Sequence, residues 1–192
     1  LVNTGSNEPA GSRGNSSPSG VAGADINAAN AWALTKGSRN IKIAVIDTGV
    51  DYNHRDLRAN IWTNEAEANG APGVDDDGNG YVDDIHGYDF ANDDGDPMDG
   101  NGHGTHVAGT IAAEHDNNIQ IAGVMAEASI VGIKFLTDQG SGSTANAIKS
   151  IDYATKIGVD IMSNSWGGGG YSQALKDSIV RAEQAGIVFT AA

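Results

Sequence analysis

"MDGNGHGTHVAGTIAAE", residues 98 to 114, sets His103 between two glycines at the point where a helix begins, with His106 one turn further in. Gly102 and Gly104 leave room for a neighbouring backbone to come close. Upstream, "IKIAVID" (41–47) is β-branched and apolar and runs into "DTG", the pattern of a buried strand feeding a turn. In open α/β sheets, sites gather where strands end and loops leave for the next helix. Asp47 at a strand end and His103 at a helix start are therefore placed to meet. The carboxylate would accept from one imidazole nitrogen, fix the tautomer and leave the other as a general base. A carboxylate at about 4 Å would favour an imidazolium by up to about 4 kcal/mol at an effective dielectric of 20. The helix N-terminus opposes that charge by only about 0.3 to 1 kcal/mol, so the pair can carry a proton during nucleophilic catalysis. Two other readings attach to these residues. "DTG" is also a turn and the motif of aspartic proteases, and "HGTH" could ligate zinc, although it lacks the Glu and the spacing of HExxH. His106 is expected to turn into the core beside Val107.

The pattern around this pair is α/β. "SIVGIKFL" (129–136), "VDIMSNS" (159–165) and "GIVFTAA" (186–192) repeat the strand signal. "TANAIKSIDYATKIG" and "SQALKDSIVRAEQAG" space apolar residues at helical intervals and end in Gly158 and Gly186. Strands alternating with helices predict a mostly parallel sheet with helices on both faces. "ADINAANAWAL" (24–34) predicts a short helix capped by Asp25, with Ile26, Ala29, Ala33 and Leu34 on one face. Residues 1–23, rich in Gly, Ser, Asn and Pro, predict an extended arm, and 24–192 one domain. Residues 60–102 break the alternation and are expected to form a long functional loop at the sheet's edge.

Composition narrows the partners. The net charge of -14 resides in one segment: residues 59–133 hold fifteen Asp and Glu and no Lys or Arg. Such a segment repels nucleic acid and attracts cations. No apolar run approaches the roughly 20 residues of a membrane span. Cysteine is absent, which excludes disulfides, thiolate zinc sites and thiol catalysis. No GxGxxG follows the first strand, which argues against dinucleotide binding. Within the acidic segment, "DDDGNGYVDD" (75–84) puts Asp75, Asp77 and Asn79 at the first, third and fifth places of a calcium loop. Gly80 makes the sharp turn and Tyr81 can offer a carbonyl. His86 stands at the twelfth place, where an EF-hand has Glu, so Asp83 or Asp84 must close a shorter loop; a solvated acidic turn is the alternative.

"IAVIDTGVDYNHRDL" (43–57) followed by "NGHGTHVAGTIAA" (101–113) resembles the subtilisin-like serine proteases, the subtilases, in motif, order and separation. The resemblance runs from about Gly23 to Ala192 and implies the family's three-layer α/β fold, incomplete at the C-terminus. It implies that Asp47 is the catalytic acid, His103 the base and His106 structural, in a triad whose chain order is Asp, His, Ser. "QGSGST" (139–144) resembles the edge strand that pairs with the substrate backbone, implying that Gly140, Ser141 and Gly142 line outer subsites. "NSWGGGG" (164–170) resembles the second substrate strand, implying that Ser165, Trp166 and Gly167 flank the primary pocket. Such strands of small residues let an extended peptide hydrogen-bond between them. The resemblance further implies a second calcium site, with Asp56 as carboxylate ligand, Asn117 by its side chain, and Ile119 and Ile121 by their carbonyls. Here the loop has one extra residue before Asp116, and Gln120 where Gly is usual.

The family's oxyanion Asn and its nucleophile in "GTSMA" are not in this sequence. "GSTAN" (142–146) looks similar but precedes a helix and lacks the Met. The chain starts at Leu1 without a leader and stops inside an apolar run, which predicts a processed or chosen start and a C-terminal remainder, as a continuation or a second chain. The expectation is therefore a secreted, extracellular, Ca2+-stabilised serine endopeptidase acting on polypeptides, inactive without that remainder. The runner-up is a calcium-binding, catalytically inactive domain of the same family.

Overall fold

The computed structural model describes residues 21–119 and 121–192, so most of the expected N-terminal arm, residues 1–20, lies outside the described residues. Two compact units divide at Lys36 and Gly37. In the first, α1 covers only Ala28–Trp32, a shorter helix than its sequence predicts. Asp25 does not cap it. Its Oδ1 accepts from the Asn27 backbone at 2.6 Å, and Asn27 takes a left-handed conformation (φ 57°) that sets the helix start two residues later. The expected apolar face is also not formed: Ile26 and Leu34 are exposed, whereas Ala28 is buried.

The second unit is built on a five-stranded, wholly parallel sheet of order β2-β3-β1-β4-β5. Its strands are β1 (Gly37–Asp47), β2 (Gly87–Asp89), β3 (Glu127–Lys134), β4 (Ile161–Asn164) and β5 (Val188–Ala191). β1 is central because its run from Ile43 to Ile46 is apolar and buried on both faces, as a strand covered on two sides must be. Ala44 and Ile46 face one core with Val131, Ile133, Ile151 and Met162, while Ile43 and Val45 face another with Val50, Leu57, Ala108 and Ile130. Fully burying each Ile or Val stabilises the fold by about 1.5 to 3 kcal/mol, so β1 is the anchor of both layers.

α4 (Thr144–Lys156) and α5 (Gln173–Gln184) belong to the first core; α3 (His103–Ala112) belongs to the second. α4 and α5 are capped by Ser143, which accepts from Asn146 N, and Ser172, which accepts from Leu175 N. Beyond α4 and α5, Gly158 (φ 67°) and Gly186 (φ 84°) take the left-handed conformation that turns the chain into the next strand.

The span 60–102 is not the unbroken loop its composition suggests. It holds the end of a 3₁₀ turn (Arg58–Asn60), the short α2 (Glu65–Ala68) and the edge strand β2, which pairs with β3 from Gly87 to Asp89. A Cβ at Gly87 would lie 1.8 Å from the Gly132 carbonyl oxygen, so only glycine lets this edge approach.

Candidate active site

Asp47 ends β1 wholly buried, and His103 opens α3 with half of its side chain exposed. The two meet: Asp47 Oδ1 lies 2.7 Å from His103 Nδ1. The same oxygen accepts from the Thr48 backbone at 2.7 Å. An imidazole bound to a carboxylate through Nδ1–H leaves Nε2 as the proton acceptor. The closeness depends on Gly104, where a Cβ would lie 2.1 Å from the Gly49 carbonyl oxygen and 3.1 Å from Asp47 Cβ.

The first amides of a helix have no partner within it and must find one elsewhere. In α3 three side chains supply them. His103 N donates to Asn101 Oδ1 (3.3 Å), Gly104 N to Thr48 Oγ1 (3.0 Å) and Thr105 N to Asp99 Oδ2 (2.9 Å). Burial alone would raise the Asp99 pKa, but bonds from the Thr105 side chain and from the Gly102, Thr105 and Asn101 backbones outweigh it and hold the group below its ordinary value. On the other side, Lys134 ends β3 opposite Asp47, with its buried ammonium donating to the Thr48 carbonyl and to Asp138 Oδ1, both at 2.7 Å.

Neither Asp99 nor Lys134 stands out in the sequence reading. The signals were present: an Asp four residues before the imidazole in "DGNGHG", and a lone lysine closing an apolar strand. His106 is the reverse case. It is exposed, not in the core, and with His54, Asp56 and Leu57 it lines a cleft of about 460 Å3 along the outer side of α3. The α3 residues that do turn inward are Gly104, Ala108, Gly109 and Ala112.

The two segments expected to receive a peptide leave the strands that flank β1. After β3, Phe135 N and Leu136 N both donate to the Asp47 carbonyl, which directs the chain past the buried acid toward Gly140, Ser141 and Gly142. After β4, which pairs with β1 up to Asn164, come Ser165, Trp166 and Gly167. Among the described residues neither segment is a strand. Thr137 N donates to the Ser141 carbonyl and Gly140 N to that of Thr137, so 137–141 folds back on itself as a turn. Gly140, Ser141, Gly142 and Gly167 are exposed, and Trp166 packs edge-on against Phe135 at 4.9 Å between ring centres. In "GSTAN", the Ser143 hydroxyl is the cap of α4.

In the acidic loop, Glu67, Asp75 and Asp77 bring carboxylate oxygens within 4.8 Å of one another, a donor set of the kind a hard cation takes. Glu67 is not in the calcium-loop pattern. Asp84, which is, stands outside this trio: it is buried, and its oxygens accept from Asn64, Asn79 and Tyr153 at 2.9, 2.9 and 2.6 Å. Burial raises its pKa, and those three bonds do not offset it. Asp83 turns away and receives the Gly73 amide. Asn79 accepts from Tyr81 N through its side-chain oxygen, and the Tyr81 ring packs edge-on against Tyr88, Phe90 and Tyr153. Asp75 is held below its ordinary pKa: desolvation acts upward, but the Gly80, Asn79 and Gly78 amides and the Asp77 side chain pull it down.

Around buried Asp56 the residues of the second expected group meet, Ile119 and Ile121 through their backbone amides and not through the carbonyls expected to ligate. Asn117 Nδ2 donates to Asp56 Oδ1 (2.7 Å), Ile121 N to its Oδ2 (3.3 Å), and Ile119 N to Asn117 Oδ1 (2.9 Å). Gln120, between them, lies outside the described residues.

A parallel α/β sheet whose central strand delivers a buried acid to an imidazole at a helix start defines a site built for proton transfer. The Subtilase family model matches residues 38–192, and the chain belongs to that family. It is 40% identical over 166 residues to subtilisin-like protease 1 of Plasmodium berghei (strain Anka), covering 86% of this chain and 28% of that protein. It is 35% identical to thermitase of Thermoactinomyces vulgaris, covering 87% and 51% of the two chains. With the major intracellular serine protease of Bacillus subtilis (strain 168) the identity is 41%, covering 87% and 46%. The crystal structure of a cold adapted subtilisin-like serine proteinase superposes with a TM-score of 0.60 at 30% identity, covering 82% of this chain and 48% of that one. The chain thus spans about a quarter to about half of the length of these relatives.

Proposed function

We propose that this chain is the acid- and base-bearing part of a secreted, calcium-stabilised serine endopeptidase. The observation that carries the reading is the 2.7 Å contact from buried Asp47 to half-exposed His103, whose second nitrogen is left for a nucleophile. Asp47 would hold the tautomer and stabilise the imidazolium; His103 would take the proton of a serine hydroxyl as it attacks the peptide carbonyl and return it to the leaving amine. That serine and the oxyanion donors belong to a remainder beyond Ala192. A groove supports this: Ile43, Thr110, Ile111, Met125, Ile161 and Thr190 line about 270 Å3 on the α3 side of the sheet. Polypeptide would lie across Gly140–Gly142 and Ser165–Gly167, the exposed exits of the two strands beside β1.

The trio of Glu67, Asp75 and Asp77 and the Asp56–Asn117 pair are the groups that would hold Ca2+. A bound ion would neutralise carboxylates of the 75–84 loop, which lies in a segment, residues 59–133, that holds no Lys or Arg. Open acidic loops suit the calcium concentrations found outside cells, which is the ground for proposing export, although one relative is named as intracellular. The test is labelling of the full-length protein with a serine-directed fluorophosphonate. A label on a serine beyond residue 192, abolished by His103→Ala, is the expected result. An unlabelled, folded protein would leave the catalytically inactive calcium-binding domain as the correct reading.

A further inference from the structure

We propose that Asp99 is the positioning residue that sets the reach between Asp47 and His103. Its carboxylate accepts five hydrogen bonds. Oδ1 receives Thr48 Oγ1, Asn101 N and Gly102 N, each at 2.9 Å; Oδ2 receives Thr105 N at 2.9 Å and Thr105 Oγ1 at 2.6 Å. Thr48 follows Asp47 at the exit of β1, whereas Gly102 and Thr105 bracket His103 at the entry of α3. Thr48 completes the clamp, since the hydroxyl that donates to Asp99 also accepts from Gly104 N at 3.0 Å. The backbone just after the acid, and the residues on both sides of the base, are thus tied to one carboxylate that touches neither partner.

A carboxylate is the group this place requires. Five donors converge on two oxygens, and an acceptor-only group with about four lone-pair sites comes nearest to satisfying them, with Oδ1 shared among three. An amide would turn an N–H toward either Thr105 N–H or the Thr48 and Gly102 donors. The clamp matters because reacting groups tolerate little displacement: about 1 Å of error costs about 10²-fold in rate.

The inference rests on the proteolytic reading only for its kinetic readout. In the full-length protein, Asp99→Asn should lower kcat by about 10²-fold at unchanged KM. In the proton NMR spectrum it should abolish or shift upfield the low-field resonance of the His103 Nδ1 proton shared with Asp47. Thr48→Val should act in the same direction, and Thr48→Ser, which keeps the hydroxyl, should restore both signals. A merely structural cap would lower activity only in proportion to the unfolded fraction and leave the resonance of the folded fraction in place. That outcome, or a folded Asp99→Asn protein with normal kcat and resonance, overturns the proposal. Should the wild-type protein hydrolyse no peptide, the resonance still decides: its loss in Asp99→Asn and return in Thr48→Ser would uphold the clamp and defeat only the proteolytic reading.

Discussion

At the crossing of β1 and α3, acid and imidazole are held by a central strand and a helix, whereas the acidic loop from Glu65 to Asp94 is held by carboxylates bonded to backbone amides and amide side chains. The first region is organised by packing that needs no ligand. The second gathers like charges, and Asp84 has its pKa raised by burial and, to a lesser degree, by the nearby charge of Asp77. Rigid elements therefore carry the proposed chemistry, and the loops proposed to hold Ca2+ would carry a stability conditional on that ion. The largest effect that could break this division is Asp47→Asn in the full-length protein. It should leave the fold intact and lower kcat by about 10⁴-fold, as loss of the acid does in triads of this kind. Peptide hydrolysis within about tenfold of wild type would show that the pair is not the working one.

Gly104→Ala comes next. Alanine in a helix is ordinarily favoured over glycine by about 1 kcal/mol. Here the new methyl would meet the Gly49 carbonyl oxygen at 2.1 Å, backbone that cannot swing aside. Overpacking of this kind costs about 1 to 3 kcal/mol, so the steric effect should win and the denaturation midpoint should fall. A rise would mean that the strand exit and the helix start are looser than their hydrogen bonds imply.

The acidic region should answer instead to chelation. An ion present at about 100 times its Kd stabilises by about 2.7 kcal/mol, or about 5 to 10 °C in Tm for a domain of this size. EGTA should remove that increment while leaving the low-field resonance of His103 in place. Glu67→Gln should reduce the calcium-dependent part of the melt, which distinguishes the trio seen in space from the linear loop pattern that omits Glu67. An unchanged melt on adding EGTA would reject both calcium sites.

The same contrast explains what could be read from residues alone. β1 and β3 declare themselves through apolar, β-branched runs, and Asp47 and His103 through their places at element ends. Each is a local property. β2 is three residues, Gly87–Asp89, in an Asp- and Gly-rich span, and it is a strand only because β3 lies beside it. Glu67 joins Asp75 and Asp77 across a turn that no linear motif records. Asp99 works through Thr48, 51 residues away, so its role is invisible until the strand and helix meet. His106 and the α1 face differ from expectation because chain neighbours and helical spacing tell which residues share a side, not whether anything packs on that side.

The finest contrast is the sign of two carboxylates. Asp99 is held below the ordinary 3.8, its donors outweighing burial. The stability it contributes is therefore fully present above pH 3.8 and is lost as pH falls through its lower folded value. Asp89, at the end of β2, is raised above 3.8 by burial, despite bonds from Asn92 and Ala91 and the charge of Lys134. Its contribution has the opposite sense: it is present below pH 3.8 and lost as pH rises through the raised value. In calcium-free buffer, the stability gap between wild type and Asp99→Asn should therefore be widest above pH 3.8, at about 0.5 to 2 kcal/mol as for a lost helix cap, and should close on acidification. The gap to Asp89→Asn should instead shrink as pH rises from 3.8. Chemical denaturation across this range checks both slopes. Parallel slopes would mean that the two carboxylates share one electrostatic environment, and that the ligand-independent crossing and the acidic loop differ less than their hydrogen bonding indicates.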